Sequence, residues 1–166
     1  MLFIGLNPSR ADGRRDDPTL RRLIGFARGW GYRELLVLNL FARISPSPAA
    51  LRRVQDPVGA RNDAVLEQWC SGWTQRPEWD LWCGWGAGGC WQHRDQALCS
   101  LLLPCMAERQ RCHPTASGPL TIALTRGGHP RHPLYSPSQA VLKPFAWAEA
   151  QIIRHPETTS AVRRPR

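Results

Sequence analysis

The sequence lacks the long apolar run that a membrane span needs. Its longest apolar stretches, such as residues 35–38 and 101–103, are far shorter than the roughly 18 residues that cross a bilayer. The chain also opens on Met1 and Leu2 with no basic segment ahead of an apolar one, so no signal peptide is predicted. We therefore expect no membrane partner and a cytoplasmic location.

Lysine is almost absent, although the chain is strongly basic. Lys143 is the only lysine among 22 basic residues, which face 13 acidic ones and give a net charge of +9. A net positive charge of this size favours a polyanionic partner, and the predicted partner is DNA. The alternative is that the arginine content reflects a compositional bias of the source.

Motifs for metal and nucleotide cofactors are missing too. None of the six cysteines forms a Cys-x-x-Cys pair, and residues 84–89 are glycine-rich without Walker A or Gly-x-Gly-x-x-Gly spacing. The cysteines are predicted to be buried thiols, and the glycine-rich segment a close-packed turn. We expect no metal and no cofactor; the alternative is a metal site built on His129-x-x-His132 or on cysteines near His93 and His113.

Short apolar runs alternate with helical patterns along the 166 residues. Asp17 is the predicted N-cap of the first helix and Pro18 its first residue. The alternation predicts a three-layer α/β/α domain over residues 1–150, with a central four-stranded mostly parallel sheet, followed by a basic, flexible tail over 151–166. The predicted strands are 2–6, 34–40, 79–85 and 119–124, and the predicted helices are 18–28, 48–54, 63–73, 91–106 and 139–150.

Two of the loops that follow these strands carry asparagine. In open parallel sheets, ligands bind outside the carboxyl ends of the strands. Asn7, in Gly5-Leu6-Asn7-Pro8-Ser9, offers an amide that can position a water or bind a polar ring edge, and Asn39 offers a donor and an acceptor to a planar ligand. Phe41 is a candidate for stacking on that ligand. A strand-ending turn, or an asparagine that ties down a neighbouring loop, would explain the same residues.

The third candidate loop contains two histidines, each followed by a proline. The prolines hold His129 and His132 in extended backbone, and either imidazole can stabilise negative charge or donate a proton near neutral pH. Arg131 can meet a phosphate. A proline-rich surface loop is the alternative interpretation.

Four segments, in order, resemble the bacterial domain-of-unknown-function family 1643: LFIGLNPSRAD at 2–12, DDPTLRR at 16–22, VLNLFA at 37–42 and GHPRHPLY at 128–135. The resemblance covers about residues 2–146. The motif order is also similar to that of the uracil-DNA glycosylase superfamily. Relatives usually carry sequence ahead of the first strand. Because the first predicted strand here begins at residue 2, we expect that an N-terminal segment is missing.

The resemblance to the glycosylases implies their fold and a set of roles. Asn7 would position the water, Asn39 would read the base, and His129 would stabilise the departing base. Asp17 is a further candidate base, and the remaining substrate-binding candidates are Gly5, Pro8, Ser9, Phe41, Arg131, His132 and Tyr135. The chain departs from the glycosylase pattern in its second histidine and in lacking a clear leucine wedge after the last His-Pro pair.

The function expected from these features is recognition of a nucleobase in DNA, with hydrolysis of its N-glycosidic bond. Such an enzyme would extrude the base from the stack into its site. Two alternatives stay open: a non-catalytic module that binds a nucleotide or damaged base, and a hydrolase or transferase acting on free nucleotides. Binding to DNA should weaken steeply with salt, whereas binding to a free nucleotide should not.

Overall fold

The computed structural model describes residues 1–8 and 17–146 and contains one five-stranded sheet. The strands are β1 (Leu2–Gly5), β2 (Leu36–Asn39), β3 (Leu81–Cys83), β4 (Pro119–Thr121) and β5 (Lys143–Pro144). Their order is β2-β1-β3-β4-β5, with β5 antiparallel to β4 and every other pair parallel. The prediction of a mostly parallel α/β sheet is confirmed, with a fifth strand beyond the four expected.

Helices cover both faces of the sheet. They are α1 (Pro18–Gly29), α2 (Pro48–Leu51), α3 (Asn62–Thr74) and α4 (Arg94–Cys112), with 3-10 segments at Gly86–His93 and Pro133–Tyr135. Residues alternate along β1: Phe3 packs with α1, while Leu2 and Ile4 pack with α3 and α4. This alternation follows from the two-residue period of a strand, which sends successive side chains to opposite faces. None of the helices described here has the length and apolar character needed to cross a membrane.

The start of α1 is set as the sequence predicts. The Asp17 carboxylate accepts hydrogen bonds from the backbone N–H groups of Thr19 (2.8 Å) and Leu20 (3.1 Å), and Pro18 occupies the first helical position. The start of α3 has no such cap. Arg61 precedes it with no side-chain cap, and Asn62 instead donates to the carbonyls of Asn39 (3.1 Å) and Leu40 (3.0 Å).

The last predicted helix is wrong over residues 139–146. Lys143 and Pro144 form the edge strand β5, which pairs with Leu120 and Thr121 of β4, and Phe145 enters the core on the α3 and α4 side. Pro144 is compatible with an edge strand and unfavourable in a helix interior, because it lacks an N–H donor. The rest of that predicted helix and the predicted tail over 151–166 lie outside the described residues.

Strands β2 and β3 lie on opposite sides of β1 in the sheet. From β1 the chain passes through α1 to β2, and from β2 it passes through α2 and α3 to β3, on the opposite side of β1. This reversal of strand order opens a crevice at the carboxyl ends of β1 and β3, where doubly wound sheets bind their ligands. The fold therefore places the first loop and the loop after β3 side by side.

Candidate functional site

A cleft of about 980 Å³ lies at the carboxyl edge of the sheet, on the side covered by α1. Its volume is at the upper end of ordinary small-molecule sites. Apolar walls come from α1 and from β1 and β2, and polar groups converge from the loops that follow the strands. Lining residues from the sequence predictions are Gly5, Asn7, Pro8, Asp17, Asn39, Arg131, His132 and Tyr135, and Trp85 also lines the cleft.

Asn39 presents its side chain to the cleft at the end of β2. It pairs in register with Gly5, and a Cβ atom at Gly5 would lie only 2.8 Å from Asn39 Oδ1 and 2.9 Å from the Phe3 ring. Glycine at position 5 therefore makes room for the Asn39 amide beside β1. Within the described residues, that half-buried amide has no hydrogen-bond partner, while the Asn39 carbonyl is held by Asn62.

Asn7 is fixed by the segment between β2 and α2. Its Nδ2 group donates to the carbonyls of Pro8 (2.9 Å) and Ser45 (3.1 Å), and the Ser45 N–H donates back to the Pro8 carbonyl (3.2 Å). Both amide hydrogens are thereby occupied. The Oδ1 atom has no donor among the described residues, so Asn7 keeps an acceptor at a position that lines the cleft.

The glycine-rich segment after β3 is the close-packed turn that the sequence predicts. A Cβ at Gly89 would lie 2.1 Å from the Trp85 ring, and one at Gly88 would lie 2.7 Å from the side chain of Leu6. Gly86 has a φ of +68°, and its N–H donates to the Pro130 carbonyl at 2.8 Å. The absence of side chains at Gly88 and Gly89 thus makes room for Leu6 and for Trp85, which lines the cleft. The hydrogen bond from Gly86 joins this turn to the loop that contains both histidines.

His132 is the histidine that lines the cleft. Its Nδ1 atom accepts a hydrogen bond from the Leu134 N–H at 3.3 Å, so the proton of the neutral ring resides on Nε2. Burial lowers the pKa of His132 below its ordinary value, and the nearby Asp17 carboxylate opposes that shift. A neutral imidazole that donates through Nε2 is the form present at neutral pH.

His129 lies away from the cleft, against α4. The turn that closes with the Thr125 N–H donating to the His129 carbonyl (2.8 Å) buries the imidazole to 9% exposure. Its Nδ1 lies 3.8 Å from a carboxylate oxygen of the buried Asp95. The structure therefore does not bring His129 together with Asn7 and Asn39.

Phe41 is also placed elsewhere. It is fully buried in the core and packs on Trp91, with ring centroids 4.9 Å apart. Arg131 and Tyr135 lie at the cleft, the latter 75% exposed and with its ring centroid 5.8 Å from that of His132. Ser9 lies outside the described residues.

Two contributors to the cleft were missed by the sequence interpretation. Phe3 forms part of its lining next to Gly5, and Ser45 anchors the Asn7 amide. The signal for Phe3 is its two-residue spacing from Gly5 on the same face of β1. The signal for Ser45 is the Ser-Pro-Ser-Pro run that follows β2 at the carboxyl edge.

The donor set of the described residues does not form a metal site. No group of three or more histidine, cysteine, aspartate or glutamate side chains converges within residues 1–8 and 17–146. The polar groups at the cleft instead include two amides, an imidazole, a guanidinium, a helix-capping carboxylate and several hydroxyl groups. Such groups suit a planar, polar organic ligand that has both donors and acceptors.

Fold and cleft together define an α/β protein with a cleft at the switch point of its mostly parallel sheet. The chain matches the family described as "Protein of unknown function (DUF1643)" over residues 1–134, and it belongs to that family. No curated protein and no solved structure matches the chain.

Proposed function

We propose that the cleft binds a nucleobase and supports hydrolysis of its N-glycosidic bond. The observation that carries this proposal is the Asn39 amide, which is half-buried, lines the cleft and has no partner among the described residues. At the cleft, this amide offers both a donor and an acceptor. A ligand with one donor and one acceptor on the same edge would pair with both groups, and a nucleobase has such an edge.

The residues at the cleft can be given roles in such a reaction. Asn7 Oδ1 accepts a hydrogen bond from the attacking water, whose oxygen forms a bond with the sugar C1′ as the C1′–N bond breaks. The bonding electron pair leaves with the base, and His132 Nε2–H donates a hydrogen bond to the base atom that gains the charge. We assign this role to His132 in place of His129, because only His132 lines the cleft. The proton that the water loses passes to bulk solvent, and the departing base anion takes up a proton from solvent, so the products are the sugar hydroxyl and the neutral base.

Release of base from oligonucleotides tests the proposal. We expect abasic product with at least one of uracil-, hypoxanthine- or modified-base DNA, and a loss of about 100-fold in rate for His132→Ala. His129→Ala should lower stability without a comparable loss of rate per folded molecule. Absence of abasic product on every substrate, from folded protein, would refute the catalytic part of the proposal.

A non-catalytic base-binding module is the second candidate, and Asp17 favours it. One carboxylate oxygen of Asp17 accepts two backbone N–H groups as the cap of α1, so this acid already has a structural role. A hydrolase that needs a general base would have to use the same carboxylate. Base binding that survives in Asn7→Ala and His132→Ala but not in Asn39→Ala would select this candidate.

DNA as the carrier of the base and a cytoplasmic location are parts of the proposal. The net charge of +9 supports a polyanionic partner. No disulfide joins the six cysteines, all of which lie in the described part, and this fits a reducing compartment. The proposed glycosylase-like fold rests on the motif order and on the parallel sheet.

A further inference from the structure

A second groove, of about 710 Å³, lies beside the cleft and has a basic lining. It is formed by residues between β2 and α3, namely Ala42, Arg43, Arg53, Val54, Gln55, Asp56 and Gly59. We call it the arginine groove. The function proposed above uses none of these residues.

The arginine groove has a positive charge excess. Residues 40–61 contain four arginines, Arg43, Arg52, Arg53 and Arg61, all exposed, and a single acid, Asp56. The Asp56 carboxylate accepts the Gly59 N–H at 2.9 Å, which holds it in the local turn. Neither Arg43 nor Arg53 forms an ion pair within the described part of the chain. The two guanidinium groups are therefore available to an anion from outside.

The backbone under the groove is well fixed. The N–H groups of Ala42 and Arg43 donate to the carbonyls of Val58 and Pro57, both at 3.1 Å. Gly59 has a φ of +83°, and a Cβ there would lie 3.2 Å from that of Ala42. Arg43 therefore extends from an ordered surface, which reduces the entropy lost when it binds a ligand.

The groove and the cleft are separated by one short helix. Pro48, at the start of α2, lines the cleft, and Arg53, just past its end, lines the groove. Four residues at 1.5 Å per residue give α2 a length of about 6 Å. The exposed Ile44 lies between Arg43 and the cleft-lining Ser45, so an apolar contact is also available along this path.

We infer that the arginine groove binds the phosphodiester backbone next to the base held in the cleft, so that the ligand is a single-stranded polynucleotide segment. The inference rests on the proposed function for its choice of ligand. Positively charged grooves that follow the backbone are the general means of binding single strands. The short separation between cleft and groove is compatible with a phosphate close to the bound nucleotide.

Salt-dependent binding of a fluorescein-labelled single-stranded DNA of about 12 nucleotides tests the inference. For the double variant Arg43→Gln/Arg53→Gln, we expect roughly tenfold weaker binding, with the slope of log K against log salt reduced by about 1.4, that is, about 0.7 for each lost phosphate contact. The matched control is Arg28→Gln/Arg33→Gln, which removes the same charge from exposed positions at the amino edge of the sheet. That control should keep the wild-type slope to within about 0.3.

Thymidine, which carries no phosphate, separates this site from the cleft. The Arg43→Gln/Arg53→Gln variant should bind it as the wild type does, while Asn39→Ala should weaken its binding. Three results would overturn the inference: a salt slope for DNA binding that is unchanged in the groove variant, a slope that falls equally in the control, or wild-type binding that does not depend on salt.

The reaction and the groove can fail separately. If no base is released but the groove variant still has a lower salt slope than the wild type, the proposed reaction is refuted and the groove site stands.

Discussion

Asn39 is positioned by its backbone, while its side chain has no hydrogen-bond partner among the described residues. Asn62 donates to the Asn39 carbonyl, and glycine at position 5 avoids a Cβ that would crowd the amide on the β1 side. Asn7 is arranged in the opposite way, since its amide hydrogens are used within the protein and its oxygen has no donor among the described residues. The two asparagines therefore offer different chemistry despite their equal side chains.

Gly5→Ala tests the space that Asn39 occupies. The added Cβ would meet Asn39 Oδ1 and the Phe3 ring, so we expect a destabilisation of about 1–3 kcal/mol and a loss of base binding. Gly25→Ala is the matched control, because its Cβ meets nothing within 4 Å and it lies inside α1, where alanine should stabilise by about 1 kcal/mol. Denaturant unfolding and calorimetric titration with a base measure both effects. Undiminished base binding by Gly5→Ala would show that the Asn39 position is not critical.

His132 predicts a pH dependence of stability. Because burial lowers the pKa of His132 in the folded protein, the unfolded chain takes up a proton at higher pH than the folded protein does. The contribution of His132 to the free energy of unfolding is therefore complete above about pH 6.5 and is lost as the pH falls below that value through the folded pKa. His132→Asn, which keeps an acceptor for the Leu134 N–H, should show a smaller fall in melting temperature between about pH 7 and pH 5. An equal fall in both proteins would contradict this assignment.

At the scale of elements, the cleft depends on three links between the segments that line it. Helix α1 is joined to the histidine-containing loop by Arg22, which donates to the Ser136 carbonyl. That loop is joined to the glycine-rich turn through Gly86 and Pro130, and the first loop is joined to the segment before α2 through Asn7 and Ser45. These links run between residues far apart in sequence, so they depend on the completed sheet.

Asp17 has a measurable role in the element it begins. Asp17→Ala removes the cap of α1 and should cost about 1 kcal/mol in the free energy of unfolding, whereas Asp17→Asn should keep most of that cap. Asp17→Asn also removes the charge that raises the His132 pKa, so that pKa should fall further, as followed by NMR titration. If the carboxylate acts as a base, Asp17→Asn would lose base release while remaining stable. If Asp17→Asn lowers the melting temperature as much as Asp17→Ala does, relative to the wild type, the result would argue against the capping role.

The local elements were predictable where a side chain acts on its own neighbours. Asp17 and Pro18 mark the start of α1 because capping is a short-range effect, and the glycines of residues 84–89 indicate a turn for the same reason. Strand β5 was not predictable, because Lys143 and Pro144 have weak strand preference and are held by pairing with β4. Long-range pairing decided that element against its local pattern.

The choice between the two histidines also required the fold. Both precede proline and both lie in one loop, so their local sequence does not distinguish them, and the resemblance to the glycosylases points to His129. The turn from Thr125 to His129 buries the first imidazole near Asp95, while His132 begins the 3-10 segment at the cleft. Asn7 and Asn39 were predictable as partners because both follow parallel strands, whose carboxyl ends share one edge.

At the scale of the whole molecule, the two edges of the sheet are built differently. The carboxyl edge carries the cleft and the arginine groove. The amino edge is tied by the buried Arg109, whose guanidinium donates to backbone carbonyls of the segments that precede β3 and β4, those of Trp73, Arg76, Pro77, Trp79 and Ser117. The contacts of Arg109 therefore lie at the edge opposite the cleft.

Arg109→Gln should therefore affect stability and not recognition. Losing several hydrogen bonds from a charged donor to buried carbonyls should cost about 3 kcal/mol or more in the free energy of unfolding. Binding per folded molecule, measured well below the lowered melting temperature, should equal that of the wild type. A selective loss of binding in the folded variant would show that the two edges are coupled.

The most direct test of the central claim is to follow the Asn39 side-chain amide by NMR during titration with free nucleobases. The two Nδ2 proton resonances are assigned by their disappearance in Asn39→Asp. We predict that at least one base shifts them in a saturable manner, together with the His132 ring signals, while the His129 signals move little. Resonances of Asn39 that stay fixed with every base, in a folded protein, would contradict a nucleobase site in this cleft.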